Sequence, residues 1–302
     1  MWSGPRRENP SVNKNPLEVT TSFKRMKSKP VPPTHLETAG KEQEEEDTVR
    51  KTPAIELHHV RDVYDRVATQ WAGTRYKAWP EVENFLSQHA KKNDLVGEIG
   101  CGNGKNLCES IRATGSPIVI ANDVSLPLCE IAALQTPKAD IQVADIISLP
   151  MRSEVFDIVL CIAVLHHMST PKRRETAVRE CCRLLRPGGR ALFFAWAQEQ
   201  DDGVSGHAFA EQDVFVPFHQ KMYMSGWDKA FMPKHVDEDI GHGIVDESKR
   251  SVVFQRYCHV FVKGELDELI TSVPGMKIVS SFRDAGNWAV ICQKDLSVLT
   301  VS

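Results

Sequence analysis

The chain has 302 residues, of which 41% are hydrophobic, a formal net charge of -3 and eight cysteines. Length and apolar content suffice for one α/β domain with extensions, and the charge excludes a global electrostatic attraction to nucleic acid, so any RNA contact must come from a local basic patch. The dispersed cysteines form no C-x-x-C pair and no apolar run reaches the length of a membrane span, so a reducing compartment, no metal site and no membrane contact are expected.

In chain order, residues 1–52 combine prolines, a basic stretch (Lys24, Arg25, Lys27, Lys29) and an acidic run at 42–47. Such a segment buries too little apolar surface to offset chain entropy and reads as a disordered tail, with the basic stretch a solvated arm or a nuclear address. A soluble protein of the cytoplasm, and of the nucleus if that address is used, is the expectation. Val60, Val63, Tyr64, Val67, Ala68 and Trp71 recur at helical spacing, which predicts an N-terminal helix over the ligand region. Residues 95–99 form a first strand that runs into Gly100, Cys101, Gly102, Asn103, Gly104 and Lys105, followed by a helix from 106 to 112. Only glycine lets the backbone turn so tightly and leaves no Cβ in the way of a ligand. The glycines alternate, unlike G-x-G-x-x-G, and Glu98 stands two residues ahead of the first. A carboxylate there repels a pyrophosphate but can hold an ammonium group, which S-adenosylmethionine carries without any phosphate.

Strand two is expected at 117–121, a helix at 126–134, strand three at 141–143, an apolar strand four at 156–164, a helix at 176–185 and strand five at 190–197. Asp123, about twenty residues past the glycine loop, is placed to take both ribose hydroxyls of a nucleoside, with a helix cap as the alternative. Asp145 can accept from an adenine amino group, with Ile146 against the ring, and Ala163 stands at the end of strand four, at the ligand edge. His166 and His167 stand at the same carboxyl edge. Adjacent side chains diverge and no third ligand lies nearby in sequence, so one histidine is expected to face the reaction centre while the other packs. The pattern dissolves from 198 to about 251 and returns as a helix at 264–272 and two strands, 276–282 and 288–293. A mostly parallel sheet finished by an antiparallel hairpin is the outline of the Rossmann-like class I methyltransferase fold. The expected division is a core at 53–197, a substrate-recognition insert at 198–255, a completing helix and hairpin at 256–295, and a tail at 296–302.

With these residues placed, the chain resembles the tRNA wobble-uridine methyltransferases that esterify 5-carboxymethyluridine at position 34. The resemblance runs from about residue 58 to 294 and is carried by His59-Val60-Arg61-Asp62-Val63-Tyr64-Asp65, Thr74-Arg75-Tyr76-Lys77-Ala78-Trp79-Pro80, Gly100-Cys101-Gly102-Asn103-Gly104-Lys105, Ala163-Val164-Leu165-His166-His167, Ala195-Trp196-Ala197-Gln198-Glu199-Gln200, Gln212-Asp213-Val214-Phe215-Val216-Pro217 and Arg256-Tyr257-Cys258-His259-Val260-Phe261. Glu98 stands where the family commonly has aspartate, and Asn122 where it has glycine.

The resemblance implies S-adenosylmethionine as methyl donor and the tRNA anticodon loop as substrate. A carboxylic acid is already an anion near pH 7, so the protein has to orient it rather than deprotonate it. Arg75 is the first candidate for a forked grip on that carboxylate. Arg256, Tyr257 and His259 form a second set, with Tyr257 to stack on uracil and His259 to hydrogen-bond it. Tyr76, Lys77, Trp79, Lys221 and Trp227 are candidates for phosphate contacts and stacking at the mouth. The family is similar in using a small zinc-binding activator protein, and the edge strand Ile141, Gln142, Val143, Ala144, Asp145 and Ile146, with no lysine or proline to discourage pairing, is where it would dock. The rival expectations are a small-molecule carboxylate or quinone methyltransferase, a catalytically silent binding protein and, last, a nicotinamide oxidoreductase.

Overall fold

A long helix, α1, precedes the first strand: Ala54–Glu56 passes through a π-helical turn, Leu57–Arg61, into Asp62–Thr74. The structure, a computed structural model, describes residues 49–75, 77–115, 119–200, 207–221 and 241–296. Tyr76, Trp227 and residues 1–48 of the expected tail at 1–52 therefore lie outside the described residues, whereas Val49 of that tail is buried and its carbonyl accepts from Arg173. Pro80–His89 is α2, which the sequence reading passed over although Val82, Phe85 and Leu86 make one buried face and Pro80 sits at its first turn.

The core then alternates β1 (Val96–Ile99), α3 (Leu107–Thr114), β2 (Val119–Asp123), α4 (Leu126–Gln135), β3 (Ala139–Val143), β4 (Phe156–Ile162), α5 (Pro171–Leu184) and β5 (Leu185–Trp196). After an excursion, α6 (Glu265–Thr271) leads to β9 (Met276–Asp284) and β10 (Asn287–Lys294). These strands form one seven-stranded sheet of order β3-β2-β1-β4-β5-β10-β9, in which all run parallel except β10, antiparallel to both its neighbours β5 and β9. The strand order reverses between β1 and β4, and that switch point is where open α/β sheets hold ligands. Side-chain alternation divides the core: Ala191, Phe193 and Ala195 of β5 face one layer, and Leu192 and Phe194 the other. Ala285 and Gly286, both at positive φ, make the tight turn of the hairpin.

Strand five begins five residues earlier than expected, because Arg186 to Gly189 loop out between the pairs Phe156–Leu185 and Ile158–Arg190 without ending the strand. Among its described residues, the expected unpatterned insert carries regular structure. Its β6 (Asp213–Lys221), β7 (Ile244–Asp246) and β8 (Ser251–His259) form an antiparallel sheet of order β6-β8-β7. The expected boundary between residues 255 and 256 thus cuts through β8. Val252 and Phe254 pack with Val63 and Val67 of α1, so this small sheet and α1 form one wall beside the main sheet.

Candidate active site

The carboxyl ends of β1, β2, β3 and β4 open on a cavity of about 530 Å³, closed from above by α1 and from the side by the small sheet. Its first wall is the glycine loop. Gly100, Gly102 and Gly104 all have positive φ, which an L side chain adopts only at a cost. A Cβ on Gly100 would meet Val164 at 2.3 Å and one on Gly104 would meet Ala132 at 2.9 Å, whereas a Cβ on Gly102 would meet nothing within 4 Å. The first two glycine sites are required by the protein's own packing, while the backbone at Gly102 faces open space. Asp123 binds this loop directly: one carboxylate oxygen accepts from the Gly102 amide at 2.8 Å and the other from Ser125 at 2.9 Å.

Glu98 is buried, with one oxygen accepting from the Asn106 side chain at 2.9 Å and the other without a protein partner among the described residues. Burial raises its pKa to about 7, partly offset by the Asn106 hydrogen bond and Lys105. Burial also lowers the Lys105 ammonium to about 8, and it sits 4.6 Å above the Trp79 ring. A buried carboxylate oxygen with no donor is costly, and a cationic ligand group removes that cost. The donor set at this end therefore fits the amino-acid portion of S-adenosylmethionine.

Asp145 lines the cavity, but one of its oxygens takes ion pairs from Arg61 of α1 and from Arg173 of α5, the latter at 3.4 Å. Arg173 in turn binds the buried Glu56 at 2.9 Å. This chain of charges locks α1 over the first wall, and removing one partner of the buried Arg173–Glu56 pair costs about 3–5 kcal/mol. Nothing in the local sequence around Asp145 announces those partners. Ile146 and Ala163 also line the cavity. Ala163 holds a φ of 63°, an uncommon conformation for a non-glycine residue that clusters at functional sites.

The second wall carries arginines and aromatics. The Arg75 guanidinium stacks 3.4 Å over the Trp71 ring, and Arg256 lies 5.2 Å over the same ring. Neither arginine has an ion pair among the described residues, and the Nε of Arg256 is buried without an acceptor. Burial, then repulsion from Arg256, lowers the Arg75 pKa. Two asparagines tie this wall to the glycine loop: Asn103 donates to the Arg75 carbonyl at 2.7 Å, and Asn106 accepts from the Trp79 amide at 3.3 Å. The role of Asn106, which also holds Glu98, was not read from the sequence.

Both histidines line the cavity, and they divide in role. His167 donates from Nδ1 to the Tyr257 carbonyl at 2.9 Å and accepts at Nε2 from the Tyr64 hydroxyl at 2.9 Å, so both ring nitrogens are used. Burial holds it neutral, with a pKa near about 4. His166 stacks on Trp196 and its Nδ1 accepts from the Trp196 amide at 3.3 Å, which leaves the proton on Nε2, without a partner among the described residues. Burial, His167 and Arg256 keep this ring neutral as well.

Four further candidates lie elsewhere. Tyr257 is buried with its hydroxyl bound to Asp213, and His259 is held between Asp213 at 3.0 Å and Glu265 at 2.6 Å, so neither lines the cavity. Side-chain alternation along β8 explains the correction: Arg256 faces the cavity, its neighbour Tyr257 the opposite side, where the Asp213 and Glu265 carboxylates raise the His259 pKa against the effect of burial. Lys77 is exposed, away from the cavity, and Lys221 ends β6 at the surface. Trp79 does line the cavity, edge to face with Phe194.

A Rossmann-like sheet with a glycine loop, a buried acid at the first strand and a cavity at the switch point defines the class I methyltransferases. Residues 97–193 match the family described as a methyltransferase domain. The CcbJ methyltransferase from Streptomyces caelestis shares the fold with a TM-score of 0.54 at 13% identity, covering 79% of this chain and 98% of that one. The chain is 37% identical to the tRNA (carboxymethyluridine(34)-5-O)-methyltransferase of Schizosaccharomyces pombe, over 80% of its own length and 98% of that protein's. It is 32% identical to the Xenopus tropicalis enzyme of that name, alkbh8, over 80% of its own length but 41% of that protein's. This chain belongs to the tRNA (carboxymethyluridine(34)-5-O)-methyltransferase family.

Proposed function

We propose that the chain uses S-adenosylmethionine to methylate the carboxylate of 5-carboxymethyluridine at the tRNA wobble position, giving the methyl ester. When bound, S-adenosylmethionine supplies a methyl group on a sulfonium, electrophilic enough for a carboxylate to take without a general base. Glu98 would hold its ammonium, the Gly102 backbone would leave room for the chain between amino acid and nucleoside, and Asp123 would meet the ribose, with Asp145 and Ile146 at the adenine. The observation that carries the acceptor half is the pair of cavity guanidiniums without carboxylate partners. Arg75, pre-oriented by its stack on Trp71, offers a planar fork to a carboxylate, and Arg256 adds a second positive charge. His166 has a free Nε2 donor for the same anion or for the uracil edge, while His167 positions Tyr64. The aromatic lining keeps water from the carboxylate, which preserves its nucleophilicity.

A small zinc-binding activator at the β3 edge belongs to the same reading. In its support, Val143 on β3 and Leu126 and Leu134 on the adjacent α4 are exposed by 53%, 54% and 76%, an apolar strip beside an unpaired strand edge. The test is to incubate the full chain, with and without the activator, with labelled S-adenosylmethionine and tRNA carrying 5-carboxymethyluridine, and to analyse nucleosides by mass. Ester at position 34 is the expected product. Methylation of free small carboxylic acids and not of tRNA would overturn the substrate, and equal activity without the activator would overturn the partner.

A further inference from the structure

Where the π-helical turn of α1 meets the residues entering β7, three potential ligands converge outside the cavity. His58 Nδ1 lies 3.3 Å from an Asp62 carboxylate oxygen one helical turn on. The His58 and His242 rings meet edge to face with centroids 4.5 Å apart, and one ligand atom from each of the three residues lies within 4.8 Å of the other two. In a tetrahedral zinc site with bonds of about 2.1 Å, neighbouring ligand atoms stand about 3.4 Å apart. The His58 and Asp62 pair already has that spacing, and His242 offers a ligand atom within 4.8 Å of both. The side chains of His58 and Asp62 are 45% and 49% exposed, so water has access to the fourth position.

A second group, His166, His167 and Cys258, also has ligand atoms within reach of one another, but it is already spent. Both nitrogens of His167 are hydrogen-bonded, and burial pushes the Cys258 thiol up to about 12, so no thiolate is available near neutral pH. His59, beside the surface group, gives its Nδ1 to the Gln255 carbonyl at 3.0 Å.

We propose that His58, Asp62 and His242 form a binding site for a divalent transition metal of the zinc class, bound through two imidazoles, a carboxylate and water. Two imidazoles and one carboxylate suit zinc, cobalt or nickel and not calcium or magnesium. The ion would clip the start of β7 to α1. α1 carries Tyr64 and Trp71 and leads into Arg75, and β7 pairs with β8, which carries Arg256. The clip thus joins the two elements that build the second wall of the cavity, through residues that do not themselves line it.

The test uses the full chain, freed of metal by a chelator and titrated with Co²⁺, with Zn²⁺ then added as competitor. One equivalent of Co²⁺ is expected to bind with visible d–d bands and no near-ultraviolet thiolate band, and Zn²⁺ to displace it. H58A and H242A should each weaken binding by more than the roughly 10- to 100-fold that losing an outer-sphere partner costs, while H59A keeps wild-type affinity. Zn²⁺ should raise the melting temperature of the wild-type chain and of H59A, and not that of H242A. A thiolate band, binding unchanged in H242A, or no saturable Co²⁺ binding would each overturn the site.

Discussion

The two walls of the cavity are built in opposite ways. The cofactor wall comes from short consecutive stretches, residues 98–106, 122–124 and 144–146, and its functional groups are fixed by hydrogen bonds to nearby backbone, as Asp123 is by Gly102 and Ser125. The acceptor wall draws Tyr64, Trp71 and Arg75 from α1 and its end, His166 from the turn after β4, Trp196 from β5 and Arg256 from β8, and its groups are placed by ring stacking and packing between elements. A carboxylate waits for a cation on the first wall, and two cations wait for an anion on the second. The cavity thus holds an unpaired carboxylate oxygen apart from two guanidiniums without ion pairs among the described residues, the separation that the proposed donor and acceptor require.

The sharpest way to break this comparison is Arg75→Ala. Turnover on tRNA should fall by about 100-fold or more, the scale of a mispositioned nucleophile, while cofactor affinity stays at the wild-type level, because Asn103 uses the Arg75 main-chain carbonyl and that survives the substitution. Arg75→Lys keeps the charge but loses the planar fork and the stack on Trp71, so it should recover only part of the rate. Equal loss of cofactor binding and turnover, read by calorimetry beside the kinetic assay, would show that the walls are not separable.

The next effect belongs to the cofactor wall. Glu98→Gln removes the charge offered to the ammonium and should weaken cofactor binding by roughly 10- to 150-fold, the worth of a charged hydrogen bond. The same change should stabilise the ligand-free protein. Burial raises the Glu98 pKa from 4.5 to about 7, so the folded state favours the neutral acid. That contribution to stability is complete below 4.5 and is lost as pH rises through 7, by on the order of 3 kcal/mol. Glu98→Gln should therefore raise the melting temperature at pH 8 and leave it nearly unchanged at pH 4.5. Cofactor binding needs the anion, so near pH 6 it should release a proton, seen as a dependence of binding enthalpy on the buffer. Wild-type affinity should fall as pH drops below 7, and the variant should show neither effect.

What could be read from the sequence follows the same division. Glu98, the glycines and Asp123 lie within one βα unit and its successor, where spacing alone sets geometry, and the parallel sheet followed from the alternation of strands with helices. Arg256 is at the cavity while Tyr257 and His259 are not, and only the register of β8 against β6, in which Arg256 pairs with Val216, decides that. The Arg61 and Arg173 grip on Asp145 joins segments far apart in sequence, which no local pattern encodes. Helix α2 was not among the expected elements, although Val82, Phe85 and Leu86 carry a helical face.

The smallest expected effect concerns two glycines that look equivalent in the sequence. Both Gly100 and Gly102 have positive φ, so alanine at either strains the backbone by about 1–2 kcal/mol. The Cβ at position 100 would also collide with Val164 at 2.3 Å, whereas at position 102 it would enter empty space. Gly100→Ala should lower the melting temperature more than Gly102→Ala does, through a clash that the packed end of β4 cannot relieve cheaply. Gly102→Ala should fold with only the backbone penalty and still lose cofactor affinity, since its methyl group occupies the room left for the ligand. If Gly102→Ala binds S-adenosylmethionine as tightly as the wild-type chain, the open face of the loop is not where the cofactor passes, and the division between the walls has to be redrawn around Glu98 alone.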